Sequence, residues 1–106
     1  MTVVPVRGQI YQVDVGYGVK PWLIVSNNRR NRKLSHAIAV RIVTTDKHVD
    51  MPTWVSLGVG DPLAGYIDTD DIHQLRRDDL GKLLGALAPR TLMQVNEALQ
   101  LALALP

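Results

Sequence analysis

Residues 9–26, QIYQVDVGYGVKPWLIVS, contain the pattern that decides the fold. Through residue 15, two sets of residues alternate in a segment rich in strand formers, which is the period-two pattern of a β-strand. Gly16 and Gly18 can turn the chain, and residues 21–26 then form an apolar run of strand length. We therefore predict a hairpin of two strands, at residues 9–15 and 21–26.

The rest of the chain continues in short segments and ends differently. Residues 27–33 are polar and basic, which predicts a loop or a single helical turn. Further strands are expected at 35–43, 53–57, 66–75 and 83–88, and a helix at 89–105. Many short strands followed by one helix predict a mainly β fold, a small bent sheet or partly open barrel covered by helices. We find no repeat or linker, so we expect a single domain over residues 1–106.

The C-terminal helix is predicted to do more than cover the sheet. Pro89 suits the first helical position, and Leu92, Val95, Leu99 and Leu103 follow helical spacing. Its last turns are apolar nearly all round, which is more than one face of a small barrel would bury. A chain of this size gains core by pairing with a second copy. We therefore expect a homodimer.

Composition excludes several classes of protein. Hydrophobic residues make up 46% and charged residues 21% of the chain, which is typical of a globular domain. No apolar run approaches the roughly 20 residues needed to span a bilayer, so no membrane partner is expected. Residues 1–6 lack the features of a secretory signal, and there is no cysteine. The expected location is the cytoplasm.

The net charge of +2 conceals an asymmetry. Residues 1–53 contain eight Lys or Arg and three Asp or Glu, whereas residues 54–106 contain four and seven. This division predicts an anionic partner for the first half. Its densest basic segment, residues 27–33, contains four cations suited to phosphate contacts, namely Arg29, Arg30, Arg32 and Lys33.

No motif for metal or cofactor chemistry is present. The three histidines, His36, His48 and His73, fall in three separate segments, and no nucleotide-binding glycine pattern occurs. We therefore expect no metal and no cofactor. RNA cleavage needs neither, because the ribose 2′-hydroxyl is itself a nucleophile and cationic donors can stabilise the phosphorane.

The order of several motifs resembles the MazF/PemK family of toxin endoribonucleases. The resemblance rests on residues 7–14 (RGQIYQVD), 20–27 (KPWLIVSN), 40–45 (VRIVTT), 52–55 (PTWV), 66–75 and the terminal helix. The resemblance covers almost the whole chain. It implies an SH3-like barrel and a homodimer that cleaves RNA without a metal, leaving a 2′,3′-cyclic phosphate and a 5′-hydroxyl. It also implies inhibition by a cognate antitoxin.

The resemblance places the family's catalytic threonine on Thr44, with Thr45 as the alternative, and its catalytic arginine on Lys20. Lysine keeps the charge but loses the planar, bidentate grip of a guanidinium. We assign charge stabilisation to Lys20 and phosphate positioning to Thr44. Lys47 and His48, which follow the threonine, are further candidates for RNA contact.

Two other departures affect the target. Only four residues separate the first strand from Lys20, where the family usually has a longer loop, so we predict a wider groove that admits structured RNA such as tRNA as well as mRNA. Asp71 stands where the family often has Gln, which makes the inherited base preference doubtful.

Two alternative functions remain open from the sequence. The related CcdB-type toxins have a similar fold and bind DNA gyrase, which would require neither Lys20 nor Thr44. A non-catalytic, RNA-binding member would explain both the lysine substitution and the short loop.

Overall fold

The strands form one antiparallel sheet whose spatial order differs from the chain order. The computed structural model describes residues 3–106. It contains β1 (Gln9–Asp14), β2 (Val19–Ile24), α1 (Asn28–Lys33), β3 (His36–Val43), β4 (Trp54–Ser56), β5 (Tyr66–Arg76), β6 (Leu83–Ala86) and α2 (Pro89–Ala102). The order across the sheet is β4-β5-β3-β2-β1-β6. The predicted mainly β class is confirmed, as a curled half-barrel with a C-terminal helix.

The β1–β2 hairpin forms as predicted, with a tighter turn. The two strands pair from Ile10 opposite Leu23 to Asp14 opposite Val19. The Asp14 carboxylate accepts the backbone N–H groups of Gly16, at 2.8 Å, and Gly18, at 3.2 Å. Both glycines have positive φ, of 115° and 91°, which few other residues adopt. Because this turn closes so early, β2 begins two residues before the predicted start.

The basic segment folds as the short helix α1. The Asn27 side chain caps it by accepting the backbone N–H groups of Arg29 and Arg30. Asn31 is fully buried, and its amide donates to the backbone carbonyl of Ser26 at 3.0 Å. A buried, hydrogen-bonded asparagine anchors the helix to the end of β2, so the basic side chains stand on a fixed support.

Each face of the sheet packs against a separate apolar cluster. On one face, Leu23, Val40 and Ile67 meet Val95 of α2 in the larger core. On the other face, Tyr11, Trp22, Ile24, Ala37, Ala39 and Leu75 form a smaller cluster that α2 does not enter. Because α2 does not cover the second face, side chains outside the small cluster remain accessible there to a ligand.

Helix α2 begins and ends with specific contacts. Asp61 accepts the backbone N–H of Ala88 at 2.8 Å and the Thr91 hydroxyl at 2.7 Å, which ties the start of the helix to the preceding loop. The helix ends at Ala102 rather than at the predicted residue 105, because Ala104 adopts a left-handed φ of 54°. The leucines at 101, 103 and 105 are exposed.

Candidate functional site

One face of the sheet gathers basic, aromatic and acidic side chains from three adjacent strands. Trp22 of β2 lies directly opposite Arg41 of β3, and Ala39 lies opposite His73 of β5. Side chains two residues apart on a strand share a face, so Lys20 lies on the same side as Trp22. We call this surface, defined by Lys20, Trp22, Arg41 and His73, the Trp22 face.

Trp22 forms the floor of this face. Its side chain is 1% exposed and its ring meets that of His73 edge-on, with centroids 4.8 Å apart. The tryptophan therefore packs into the smaller cluster and is not an open platform for stacking bases. Its indole N–H has no hydrogen-bond acceptor among residues 3–106.

Arg41 is a half-buried cation without a counter-ion. It lies opposite Trp22 on one side and opposite Asp68 of β5 on the other. Nevertheless, no carboxylate of the described residues forms an ion pair with Arg41, and its Nε–H lacks an acceptor. An unpaired, partly desolvated charge is costly in a folded protein. The Trp22 face thus holds a cation that has no counter-ion among residues 3–106.

The acidic residues of β5 border this cation. Partial burial raises the pKa of the Asp68 carboxyl above its usual value, and the negative charges of Asp70 and Asp71 raise it further. Hydrogen bonds from the Asp70 backbone N–H, at 2.9 Å, and from the Trp54 side chain offset part of this rise. Asp68 is therefore a carboxyl group whose ionised form the protein disfavours.

The loop after β3 carries the predicted threonine. Thr44 lies in an exposed bend immediately beyond Val43, and Thr45 accepts the backbone N–H of Lys47 at 3.3 Å. Gly65, with φ of 129°, packs so closely that a Cβ there would overlap the Val43 carbonyl oxygen. This close approach fixes the backbone from which Thr44 projects.

An aromatic contact borders an open cavity beside the same loop. The His48 ring stands edge-on to Trp54, with centroids 5.5 Å apart, and Trp54 is half-buried. His48, Met51, Trp54, Asp68 and Asp70 line a cavity of about 390 Å³. The lining thus combines two rings and a methionine with two carboxyl groups.

Helix α1 lies at the opposite end of the strands from Lys20 and Thr44. It follows β2 and precedes β3, whereas Lys20 is near the start of β2 and Thr44 follows the end of β3. The six residue-to-residue steps from 20 to 26 span about 20 Å in an extended chain. Arg29, Arg32 and Lys33 are exposed and Arg30 is half-buried. The structure therefore does not bring these four cations to Lys20 and Thr44.

Sequence reasoning missed Arg41, His73 and Asp68 as members of the site. The alternation of residues 37–43 would have placed Arg41 on one face, but only the register shows that it lies opposite Trp22. The spacing of Asp71 and His73 is a local signal, since alternate residues of a strand share a face. The bulge in the β3–β5 pairing between Val40 and Arg41 has no sequence signature that we recognised.

The part of the chain that the structure describes contains neither a metal-binding cluster nor a membrane-spanning helix. Within residues 3–106, no three His, Asp or Glu side chains converge as metal ligands. No helix in this part is both long and apolar enough to cross a bilayer.

The chain is similar in sequence to known proteins over nearly its full length. The profile of the family described as "PemK-like, MazF-like toxin of type II toxin-antitoxin system" matches residues 6–103. The chain is 52% identical over 102 residues to the protein named Endoribonuclease MazF4 of Mycobacterium tuberculosis, covering 96% of this chain and 95% of that protein. The same values hold for Endoribonuclease MazF1 of Mycobacterium bovis.

Solved structures agree on the fold. A mycobacterial endoribonuclease in complex with its cognate antitoxin superimposes with a TM-score of 0.92 at 52% identity, covering 96% of this chain and 97% of that chain. A MazE-MazF crystal structure from Deinococcus radiodurans gives a TM-score of 0.83 at 20% identity, covering 98% and 99%. At that identity the second similarity bears on the fold alone.

Proposed function

The chain belongs to the PemK-like, MazF-like family of type II toxins, and we propose that it is an endoribonuclease that acts on RNA through the Trp22 face. The mycobacterial relatives named as endoribonucleases support the activity, at 52% identity over almost the whole chain. The observation that supports placing the RNA site on the Trp22 face is Arg41, a half-buried guanidinium with no ion-pair partner among residues 3–106.

The reaction we assign is cleavage by the substrate's own 2′-hydroxyl. The 2′-oxygen attacks the adjacent phosphorus, the bond from phosphorus to the 5′-oxygen breaks, and the products end in a 2′,3′-cyclic phosphate and a 5′-hydroxyl. The phosphorane carries extra negative charge, so preorganised cationic donors lower the barrier. The protein supplies those donors from its own side chains, and no cofactor takes part.

Lys20 and Arg41 share the stabilisation of that charge. Lys20 supplies a single charged amine, and Arg41 supplies the planar guanidinium that Lys20 lacks compared with the family's arginine. Both stand on the Trp22 face, one strand apart. The substitution at position 20 is thereby compensated on the neighbouring strand.

Thr44 positions the scissile phosphate from the end of β3. A hydroxyl both donates to and accepts hydrogen bonds, so it suits a phosphate oxygen. Its backbone is held by the close approach of Gly65 to Val43, which favours Thr44 over Thr45, whose hydroxyl accepts the Lys47 N–H.

The RNA on either side of the cleaved bond contacts two separate groups. Lys47 and His48 lie on the loop beside Trp54 and hold a nucleotide in the cavity there. Arg29, Arg30, Arg32 and Lys33 of α1 contact phosphates of the same strand, about 20 Å from Lys20. The short Asp14–Val19 turn leaves the Lys20 end of the groove open, so folded RNA such as tRNA is a target as well as mRNA.

A cognate antitoxin and a second copy of the chain complete the assembly. The related mycobacterial endoribonuclease was solved with its antitoxin, and we propose the same class of partner here. The exposed leucines at 101, 103 and 105 on α2 and beyond support a homodimer through this end. An enzyme of this class works in the cytoplasm, where its RNA substrate is.

Induced expression in a bacterial host tests this function. The wild-type chain should arrest growth and fragment cellular RNA, whereas Lys20→Ala and Thr44→Ala should do neither at equal protein levels. Arg90→Ala, which removes an exposed cation from the start of α2, is the control and should remain toxic. Growth arrest that persists in both Lys20→Ala and Thr44→Ala with intact RNA would favour a gyrase-binding toxin.

A further inference from the structure

His73 and Asp71 form a pair on β5. The His73 Nε2 lies 3.0 Å from an Asp71 carboxylate oxygen, and the two side chains are 41% and 36% exposed. The pair is thus held in one geometry and remains open to a ligand. Such a carboxylate fixes the orientation of an imidazole and leaves the second ring nitrogen free.

The pair lies one strand from Arg41, on the side of β3 away from Lys20. His73 is opposite Ala39, whose small side chain leaves the imidazole uncovered, and its ring edge contacts Trp22. Arg41 is two residues beyond Ala39 on β3, and Lys20 is two residues before Trp22 on β2. Diagonal neighbours on one face of a sheet are about 7–8 Å apart, within reach of long side chains. A phosphate bound by Arg41 would therefore be within reach of the imidazole.

We propose that His73 is the general acid of the RNA cleavage and that Asp71 is its positioning residue. This assignment rests on the function proposed above. The Asp71 carboxylate holds one ring nitrogen of His73, and the imidazole donates a proton to the substrate from the other. It also gives a role to the aspartate that replaces the glutamine often found in the family.

The proton balance of the step is simple. As the 2′-oxygen bonds to phosphorus and the bond to the 5′-oxygen breaks, the imidazolium gives its proton to the departing 5′-oxygen. The 2′-hydroxyl proton passes to solvent water. His73 then regains a proton from solvent, so the enzyme returns to its starting state and RNA cleavage requires no other reactant.

The other two histidines lack this arrangement. The His36 Nδ1 is 3.0 Å from the Ser35 hydroxyl, at the end of β3 where α1 lies. His48 contacts the Trp54 ring from an exposed loop, and no carboxylate in the described part of the chain pairs with it. Of the three histidines, His73 is the one that pairs with a carboxylate within residues 3–106.

The test compares two RNA oligonucleotides that differ in the leaving atom. One has the normal 5′-oxygen at the cleaved bond, and the other has a 5′-bridging sulfur, which leaves without protonation. For His73→Gln we expect single-turnover cleavage of the oxygen substrate to fall about 100-fold, with less than about threefold loss on the sulfur substrate. Asp71→Asn should show the same selective loss, smaller in size and with KM unchanged.

Two controls make the result specific. Lys20→Ala should lose activity on both substrates, because charge stabilisation is needed for either leaving group, and His36→Gln should match the wild type on both. Added imidazole should restore cleavage of the oxygen substrate by His73→Ala. An equal loss on both substrates for His73→Gln, or no loss on the oxygen substrate, would overturn the assignment while leaving the ribonuclease function intact. If the wild-type protein cut neither substrate, the proposed function itself would fail.

Discussion

Arg41 lies directly opposite Trp22 in the pairing of β2 with β3, and neither the arginine Nε–H nor the indole N–H has an acceptor among residues 3–106. Buried donors are nearly always hydrogen-bonded in folded proteins. Two unpaired donors therefore stand at directly opposed positions below the surface, and the rest of the half-buried Arg41 guanidinium is the group that an RNA phosphate would meet under the proposed function.

Replacing Arg41 separates function from stability. Arg41→Ala should lower the cleavage rate about 100-fold to 1,000-fold, as expected for removal of one donor to the transition state. Its thermal stability should stay equal or rise, because the variant no longer carries an unpaired, half-buried charge. Arg41→Lys keeps the charge and should recover only part of the rate. Kinetics and thermal unfolding of both variants, with Arg90→Ala as control, measure this. A loss of activity that tracks a loss of stability would contradict it.

Because Gly65 packs against Val43, we expect that Gly65→Ala lowers both stability and activity. A methyl group in Gly65→Ala would overlap the Val43 carbonyl and would also strain a φ of 129°. We expect a cost of about 1–3 kcal/mol and displacement of the neighbouring Thr44, so that cleavage falls even under conditions where the variant is folded. Gly16→Ala is matched, since its φ is also positive but no atom lies within 4 Å of the added methyl. It should be destabilised less and should cleave normally. Urea unfolding and single-turnover rates compare the two.

The ionisation of Asp61 should stabilise the start of α2. Partial burial raises the pKa of this carboxyl, but the hydrogen bonds from Gly58, Thr91 and Ala88 outweigh it, and the net pKa lies below the usual value. The stabilising contribution is therefore complete above about pH 4, where an unfolded aspartate is also ionised, and is lost as the pH falls through the lower, folded pKa. Asp61→Ala should cost about 1–3 kcal/mol at neutral pH. Denaturant titrations from pH 7 to pH 2 should show the two proteins converging in stability as the pH falls.

Asp68 should show the opposite sign. Its folded pKa is raised by burial and by its acidic neighbours, so ionisation opposes folding at neutral pH. Asp68→Asn should therefore be more stable than the wild type at pH 7. The gain should shrink as the pH falls and disappear below about pH 4, where the wild-type carboxyl is protonated in both states. Thermal unfolding at several pH values measures this difference, and a less stable variant at pH 7 would contradict the account.

The sequence predicted local features well and their spatial relations poorly. The hairpin, the later strands and the start of α2 follow from alternation, glycines and Pro89, all of which act within a few residues. The end of α2 was predicted three residues too late, because nothing in the apolar run up to Leu105 signals the left-handed Ala104. Lys20 and Thr44 came from motif order, whereas Arg41 and His73 required the strand register. The sequence showed that the basic residues form one segment. It did not show how far that segment lies from Lys20, because this distance depends on the strand ends that α1 connects.

The most direct test is to map the RNA fragments that the purified protein produces from total RNA in the presence of EDTA. The account predicts discrete cuts whose fragments carry 5′-hydroxyl and 2′,3′-cyclic phosphate ends, and no cuts with the Lys20→Ala and Arg41→Ala double variant. Uncut RNA, or fragments with 5′-phosphate ends that appear only when Mg²⁺ replaces EDTA, would contradict it.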